Sequence, residues 1–130
     1  MSYLRLKPIA VVRNGIRETP KDWDKVRSRL VFEKKYSEGL SKLGHFKHIW
    51  VIFGFHKMRQ TVLKIHPRHD PEIPLVGVFA SRSPTRPNKL GLTLVELVGV
   101  KGGVVTVKGL DAFDGSPVFD IKPYEDEIDY

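Results

Sequence analysis

The sequence predicts a mainly β protein, a small closed or nearly closed antiparallel β-barrel with one or two short helices. Three observations lead there. Apolar, β-branched segments recur along the chain with Gly and Pro between them, the pattern of short strands joined by turns. No helical pattern alternates regularly with them, which argues against a doubly wound parallel sheet. The length, 130 residues, suits one domain over 1–130, with room for a single core.

The elements follow in order. Ile9-Ala10-Val11-Val12 is a short apolar run after Pro8. Thr19-Pro20-Lys21-Asp22 reads as an N-cap, a Pro at the first helical position and an acid in the first turn, opening a short helix through Trp23 and Val26. Residues 37–43 predict another turn or two of helix, stopped by Gly44. His48 to Phe55 is aromatic and β-branched almost without a polar break, as expected of a strand buried on both faces. Thr61 to Ile65 and Leu75 to Phe79 are further strands around a Pro- and His-rich stretch. Leu92 to Val100 and Val104 to Leu110 flank Lys101-Gly102-Gly103, a hairpin signal, and Val118 to Ile121 closes the series. Glu125 to Tyr130 reads as a solvated acidic tail.

Composition narrows the function classes. Cys is absent, which excludes disulfides, thiolate metal sites and cysteine nucleophiles. No apolar run reaches the roughly 18 residues of a membrane span, and the N-terminus lacks a signal-peptide layout; a cytoplasmic protein is expected. The formal charge is +7, unevenly spread: residues 1–69 hold 16 basic and 5 acidic side chains, residues 70–130 hold 6 and 10. A basic half of this kind suits a polyanion, nucleic acid above all; the plainer alternative is a solvated basic surface.

Two loops carry the chemistry. In Ser81-Arg82-Ser83-Pro84-Thr85-Arg86-Pro87-Asn88-Lys89, two prolines stiffen a segment that presents Arg82, Arg86 and Lys89. Such a loop can aim guanidinium forks at a carboxylate or phosphate, or can be a rigid connection whose arginines pair with nearby acids. In Asp111-Ala112-Phe113-Asp114-Gly115-Ser116-Pro117, carboxylates flank an Asp-Gly turn. At least one should satisfy local backbone N–H groups, and another is free for a ligand amine or hydroxyl. Asp120 and Lys122 share a strand face and should pair. The five histidines give no convincing metal site, since Pro67 interrupts His66 and His69; His56 is expected at the barrel mouth. Trp23, Trp50, Tyr36 and Phe55 are either base-stacking groups or core. No dinucleotide fingerprint, phosphate-binding loop or nucleophile elbow is present.

The run Phe79-Ala80-Ser81-Arg82-Ser83-Pro84-Thr85-Arg86-Pro87-Asn88 and the later run from Asp114 to Tyr124 closely resemble signatures of the TrmO (TsaA-like) family. So do Pro8 to Arg13 and Phe46 to Phe53, and the likeness spans nearly the whole chain in the same order. The resemblance implies an S-adenosyl-L-methionine-dependent tRNA methyltransferase on a β-barrel, working as a homodimer. It implies methylation of N6 of threonylcarbamoyladenosine at position 37, just 3′ of the anticodon. Carried over by motif, the cofactor contacts are Pro20, Lys21, Asp22, His56, Lys57, Arg82, Leu92, Asp111, Ala112, Phe113 and Asp114. Arg82 would take the cofactor carboxylate, and Asp111 or Asp114 its amino, ribose or adenine donors. Asp114, Asn88 and His56 are the candidates to accept the N6 proton. Arg86, Lys89, His66 and Arg68 would face RNA phosphate or the threonyl carboxylate. Lys89-Leu90 stands where many relatives have Pro-Ile. Some bacterial relatives continue into a C-terminal extension, so RNA contacts are expected here from the basic N-terminal half. The alternatives are a methyltransferase of another RNA or small molecule on the same barrel, and a noncatalytic RNA-binding module.

Overall fold

The computed structural model describes residues 2–129. Six strands close into an antiparallel barrel in the order β1-β2-β7-β6-β3-β8. They are β1 (Ala10–Arg13), β2 (Arg27–Phe32), β3 (His48–Gly54), β6 (Leu90–Lys101), β7 (Val104–Lys108) and β8 (Pro117–Pro123). Two further strands, β4 (Lys64–Ile65) and β5 (Val76–Gly77), form a separate ribbon outside the barrel.

Alternation builds the core. Val12, Leu30, Ile49, Val51, Phe53, Val95, Val105, Val107 and Val118 point inward and are buried, while their chain neighbours face out. Each fully buried aliphatic or aromatic side chain contributes roughly 1.5–3 kcal/mol. Leu40 and Leu43 are buried in the connection from β2 to β3, and Leu110 and Ala112 in that from β7 to β8. The barrel is therefore a packed core and not a channel.

The structure corrects several expectations. β2 was not anticipated. Its sequence RSRLVF alternates exposed Arg27 and Arg29 with buried Ser28, Leu30 and Phe32, and a serine at an interior position hides the apolar period. Ser28 is tolerated there because its hydroxyl accepts from Asn14 Nδ2 at 2.9 Å. β3 is buried on one face only: Trp50 and Ile52 remain half-exposed outside. The segments at 61–65 and 75–79 shrink to the two-residue strands of the ribbon.

The helices are 3₁₀ turns. The first covers Trp23–Lys25 only, and Asp22, not Thr19, caps it through Asp24 N at 3.0 Å. The second covers Lys34–Leu40, and Gly44 lies inside a third, Leu43–His45, and does not end the second. The hairpin between β6 and β7 is as expected, with Gly102 and Gly103 at positive φ. Asp120 and Lys122 do pair, at 3.3 Å. Of the acidic tail, Asp126–Asp129 forms one helical turn, and Tyr130 lies outside the described residues.

Antiparallel order sends the chain connections to opposite ends. Residues 14–26, 55–89 and 109–116 all leave one end of the barrel. The other end holds the connection 33–47 and the short hairpin. Three long segments thus converge on one rim, and functional side chains concentrate on loops held this way.

Candidate functional site

At that rim two adjoining hollows form one cleft. One, of about 350 Å³, lies over β6 and takes in Phe79, Ser81, Arg82, Leu92 and Thr93. The other, of about 450 Å³, takes in Trp23, His56, Lys57, Ala112, Phe113 and Ser116. Phe53, Phe55, Arg82 and Asp111 line both. The combined size is in the range of small-molecule sites.

Arg82 and Asp111, far apart in the chain, meet here because two loops leave the same rim. Arg82 Nη1 donates to the Leu92 carbonyl at 2.7 Å, which fixes the guanidinium with its other N–H groups left over. Asp111 Oδ1 accepts from the Thr93 hydroxyl at 2.5 Å. A fork and a carboxylate anchored to the adjacent Leu92 and Thr93 of β6 in an aromatic-walled cleft can bind both ends of a zwitterionic amino-acid group. The walls are built by edge-on pairs, Phe53 with Phe55 at 5.4 Å and Trp23 with Phe113 at 5.7 Å. Lys57 Nζ sits 5.0 Å from the Phe113 ring centroid.

Gly91 sets the floor. A Cβ there would lie 2.5 Å from Phe53 Cζ, so only a residue without one lets the buried ring slide under the cleft.

The Arg-rich loop is braced from within. Arg86 Nη1 donates to the carbonyls of Ser81 (3.1 Å) and Ser83 (3.0 Å). Lys89 Nζ donates to the Gln60 carbonyl (2.6 Å), the Thr61 hydroxyl (2.8 Å) and the Arg86 carbonyl (2.6 Å). Three partners use all three ammonium donors. The structure thus gives Lys89 and Arg86 the work of holding the loop, a correction to an outward, phosphate-facing Lys89.

Asp114 is likewise engaged. Its Oδ1 accepts from the Asn14 and Gly15 amides at 2.9 and 3.1 Å, and Oδ2 lies 3.6 Å from Arg13 and 4.0 Å from Arg17. The two amide donors, with lesser help from the arginines, hold its carboxyl below the ordinary 3.8. It lines neither part of the cleft. A carboxylate so stabilised is a poor proton acceptor, which corrects its place among the candidate bases.

His56 differs. Ser116 Oγ donates its one proton to the Phe113 carbonyl at 2.7 Å and lies 3.3 Å from His56 Nδ1. Nδ1 must therefore carry the proton and donate, leaving Nε2 with its lone pair. Burial first, then Lys57, lowers the His56 pKa below 6.5, with Asp114 opposing. The surroundings thus favour the neutral ring over the imidazolium.

The remaining residues singled out in the sequence lie around the cleft. Pro20, Lys21 and Asp22 do not line it, but Thr19 and Trp23 on either side do; Asp22 acts by capping the turn that carries Trp23. Asn88 borders a neighbouring hollow with Leu4, Leu6 and His56. His66 and Arg68 border another with Arg82 and Pro84, and His66 Nδ1 lies 2.8 Å from the Ile73 carbonyl. Phe53, Phe79, Thr93 and Ser116 are cleft residues that sequence reasoning missed. Nothing local marks them except their place in apolar or turn segments. Among the described residues no three His, Asp or Glu side chains gather as a metal site, and no helix is long and apolar enough to cross a membrane.

Known proteins agree with this architecture. A model described as the tRNA-methyltransferase O N-terminal domain matches residues 11–130. A probable S-adenosyl-L-methionine-binding protein of Methanothermobacter thermautotrophicus is 38% identical over 97% of this chain and 93% of its own length. The human tRNA (adenine(37)-N6)-methyltransferase is 41% identical over 81% of this chain but only 24% of its own length. The crystal structure of TrmO from Pseudomonas aeruginosa superposes with a TM-score of 0.79 at 29% identity, covering 98% of this chain and 58% of that one. The chain thus spans well under two thirds of the solved TrmO chain and about a quarter of the human protein. With the family model matching all but its first ten residues, the chain belongs to the tRNA-methyltransferase O N-terminal domain family.

Proposed function

We propose that this protein is an S-adenosyl-L-methionine-dependent tRNA (adenine-N6)-methyltransferase acting on threonylcarbamoyladenosine at position 37. The observation that carries the reading is the shared cleft of Arg82 and Asp111. Its opposed charges match the carboxylate and amine of the methionyl group, and its aromatic walls match a flat adenine and a cation. The names of the archaeal and human relatives support the cofactor and the tRNA substrate.

When bound, the cofactor supplies an electrophilic methyl on a sulfonium, and the chain's residues have three tasks. Arg82 and Asp111 orient the methionyl group; Leu92, Ala112 and Phe113 shape the cleft around the rest, with Lys57 beside Phe113. Phe53, Phe55 and Trp23 exclude water. His56 Nε2 would accept the proton that leaves N6 as the C–N bond forms and the methyl–sulfur bond breaks, the sulfur departing as a neutral thioether. Holding donor and acceptor in line is the main contribution expected of such a site. Asp22 caps the turn that places Trp23, Lys89 stiffens the loop that carries Arg82, and Arg86 both braces that loop and lines the cleft.

We also read residues 1–130 as one domain, supported by a single contiguous core, and place the protein in the cytoplasm, where mature tRNA is found. A homodimer is supported by exposed Leu92, Leu94 and Val98 on the outer face of β6 and exposed Phe79 nearby in the cleft wall.

The deciding experiment incubates purified protein with labelled S-adenosyl-L-methionine and tRNA, with and without the threonylcarbamoyl group, and analyses the nucleosides. Label on N6 of the modified adenosine is expected. Label elsewhere would mean another substrate, and saturable cofactor binding with no transfer to any RNA would leave a binding protein.

A further inference from the structure

A second charged surface lies beside the cleft. On the outer wall of β1, β2 and β7, Arg13 stands directly opposite Arg29, and Arg27 directly opposite Lys108. All four share one face, because Arg27 and Arg29 are two residues apart and their interior neighbours Ser28 and Leu30 are buried. Like charges paired across strands destabilise a sheet. Here two such pairs sit side by side with little to neutralise them. Asp114 reaches Arg13 and Arg17, and Glu96 stands opposite Lys108 from β6. Among the described residues neither Arg27 nor Arg29 has an ion pair. The three arginines line a hollow of about 480 Å³ at the strand ends, together with Asn14, Gly15, Ser28 and Asp114.

The position is telling. The connection 109–116 sends Asp111, Ala112 and Phe113 to the cleft and Asp114 to this hollow. One short loop therefore separates the basic wall from the reaction site, at the same rim.

We infer that the Arg13–Arg29–Arg27–Lys108 wall is a docking track for the phosphodiester backbone of the substrate RNA, next to the base held in the cleft. This rests on the proposed tRNA methyltransferase reading and adds where the RNA runs. Guanidinium forks match phosphate oxygens, and a polyanion relieves the repulsion the fold leaves in place. A membrane surface fits less well, since the exposed apolar side chains lie on β6, on residues 3–6, on the ribbon side and at Ile128, and not on this wall.

The test is Arg27→Gln combined with Arg29→Gln, compared with Lys34→Gln combined with Lys47→Gln at the opposite end of the barrel. Affinity for tRNA is measured across a salt series, with S-adenosyl-L-methionine affinity and melting temperature alongside. Loss of two phosphate contacts makes the slope of log affinity against log salt shallower by about 1.4–1.8, which weakens binding about 30-fold at 0.1 M salt. Cofactor affinity holds, and the melting temperature holds or rises as repulsion is relieved. Arg27→Lys with Arg29→Lys retains the slope. Equal weakening in both Gln pairs, or an unchanged slope in the arginine pair, overturns the track. So does wild-type protein that binds anionic vesicles but not tRNA. Wild-type protein that methylates no tRNA refutes the functional reading; methylation with an unaltered arginine-pair slope refutes the track alone.

Discussion

At the scale of single residues, hydrogen-bond accounting separates groups the sequence left equivalent. Asp114, Asn88 and His56 all carry chemistry a proton acceptor needs, yet only His56 combines a place in the cleft with a lone pair left over once Ser116 is counted. Its lowered pKa sets a sign. The stability linked to the neutral ring is present above 6.5, and both it and the ability to accept a proton are lost as pH falls through the lower folded value. The wild-type kcat/KM is therefore expected to fall on the acid side with an inflection below 6.5, while His56→Gln lowers kcat/KM by about 10²–10⁴ and flattens that limb. A His56→Gln enzyme with wild-type rate and the same inflection would move the acceptor role elsewhere. The opposite lesson comes from Lys89, which looked like a free cation in sequence and proves to hold three oxygen atoms of its own chain.

Among the elements, legibility followed the inward side chain. β1, β3, β6, β7 and β8 could be found because their interior positions are apolar or aromatic and their turns use Gly and Pro. β2 could not, because Ser28 occupies an interior position and arginines the exterior. The 3₁₀ turn at 23–25 is shorter than the helix read from its capping residues, which mark where a turn begins and not how many turns follow, and the one at 34–40 lies three residues before the expected 37–43. The site itself was legible only in part. The stiff loop and the Asp-Gly turn were visible, but that Arg82 and Asp111 share a cleft depends on which rim their connections leave, and that follows from pairing order. The contact of β3 with β6 makes one element-scale prediction. Gly91→Ala drives a Cβ into Phe53, whose ring is buried and packed on Phe55. Overpacking of this kind costs about 1–3 kcal/mol. Urea unfolding should show that loss, and calorimetry weaker cofactor binding; unchanged stability would mean that Phe53 has another rotamer available.

For the whole molecule, the division of labour between the two rims matters most. One rim carries three long connections and the chemistry; the other is closed by Leu40, Leu43 and a tight hairpin. The apolar face of β6 begins at Leu92 in the cleft, continues through Leu94 and resumes at Val98 beyond the exposed Glu96. Burying it between two copies would bring a second subunit to the edge of the site. Sedimentation equilibrium is expected to give twice the chain mass, and Leu94→Glu to return it to one. A wild-type protein that stays monomeric at micromolar concentration removes the homodimer.

Closure of the cylinder has a consequence for how anything can be held. Each of its six staves has a neighbour on both sides, yet β6 pairs with β7 only from Glu96 onward, so Leu90–Val95 keep a backbone edge at the cleft, where Arg82 takes the Leu92 carbonyl. A guest at this rim can therefore meet main-chain groups of one stave as well as side chains, while the hoop beneath stays as it is.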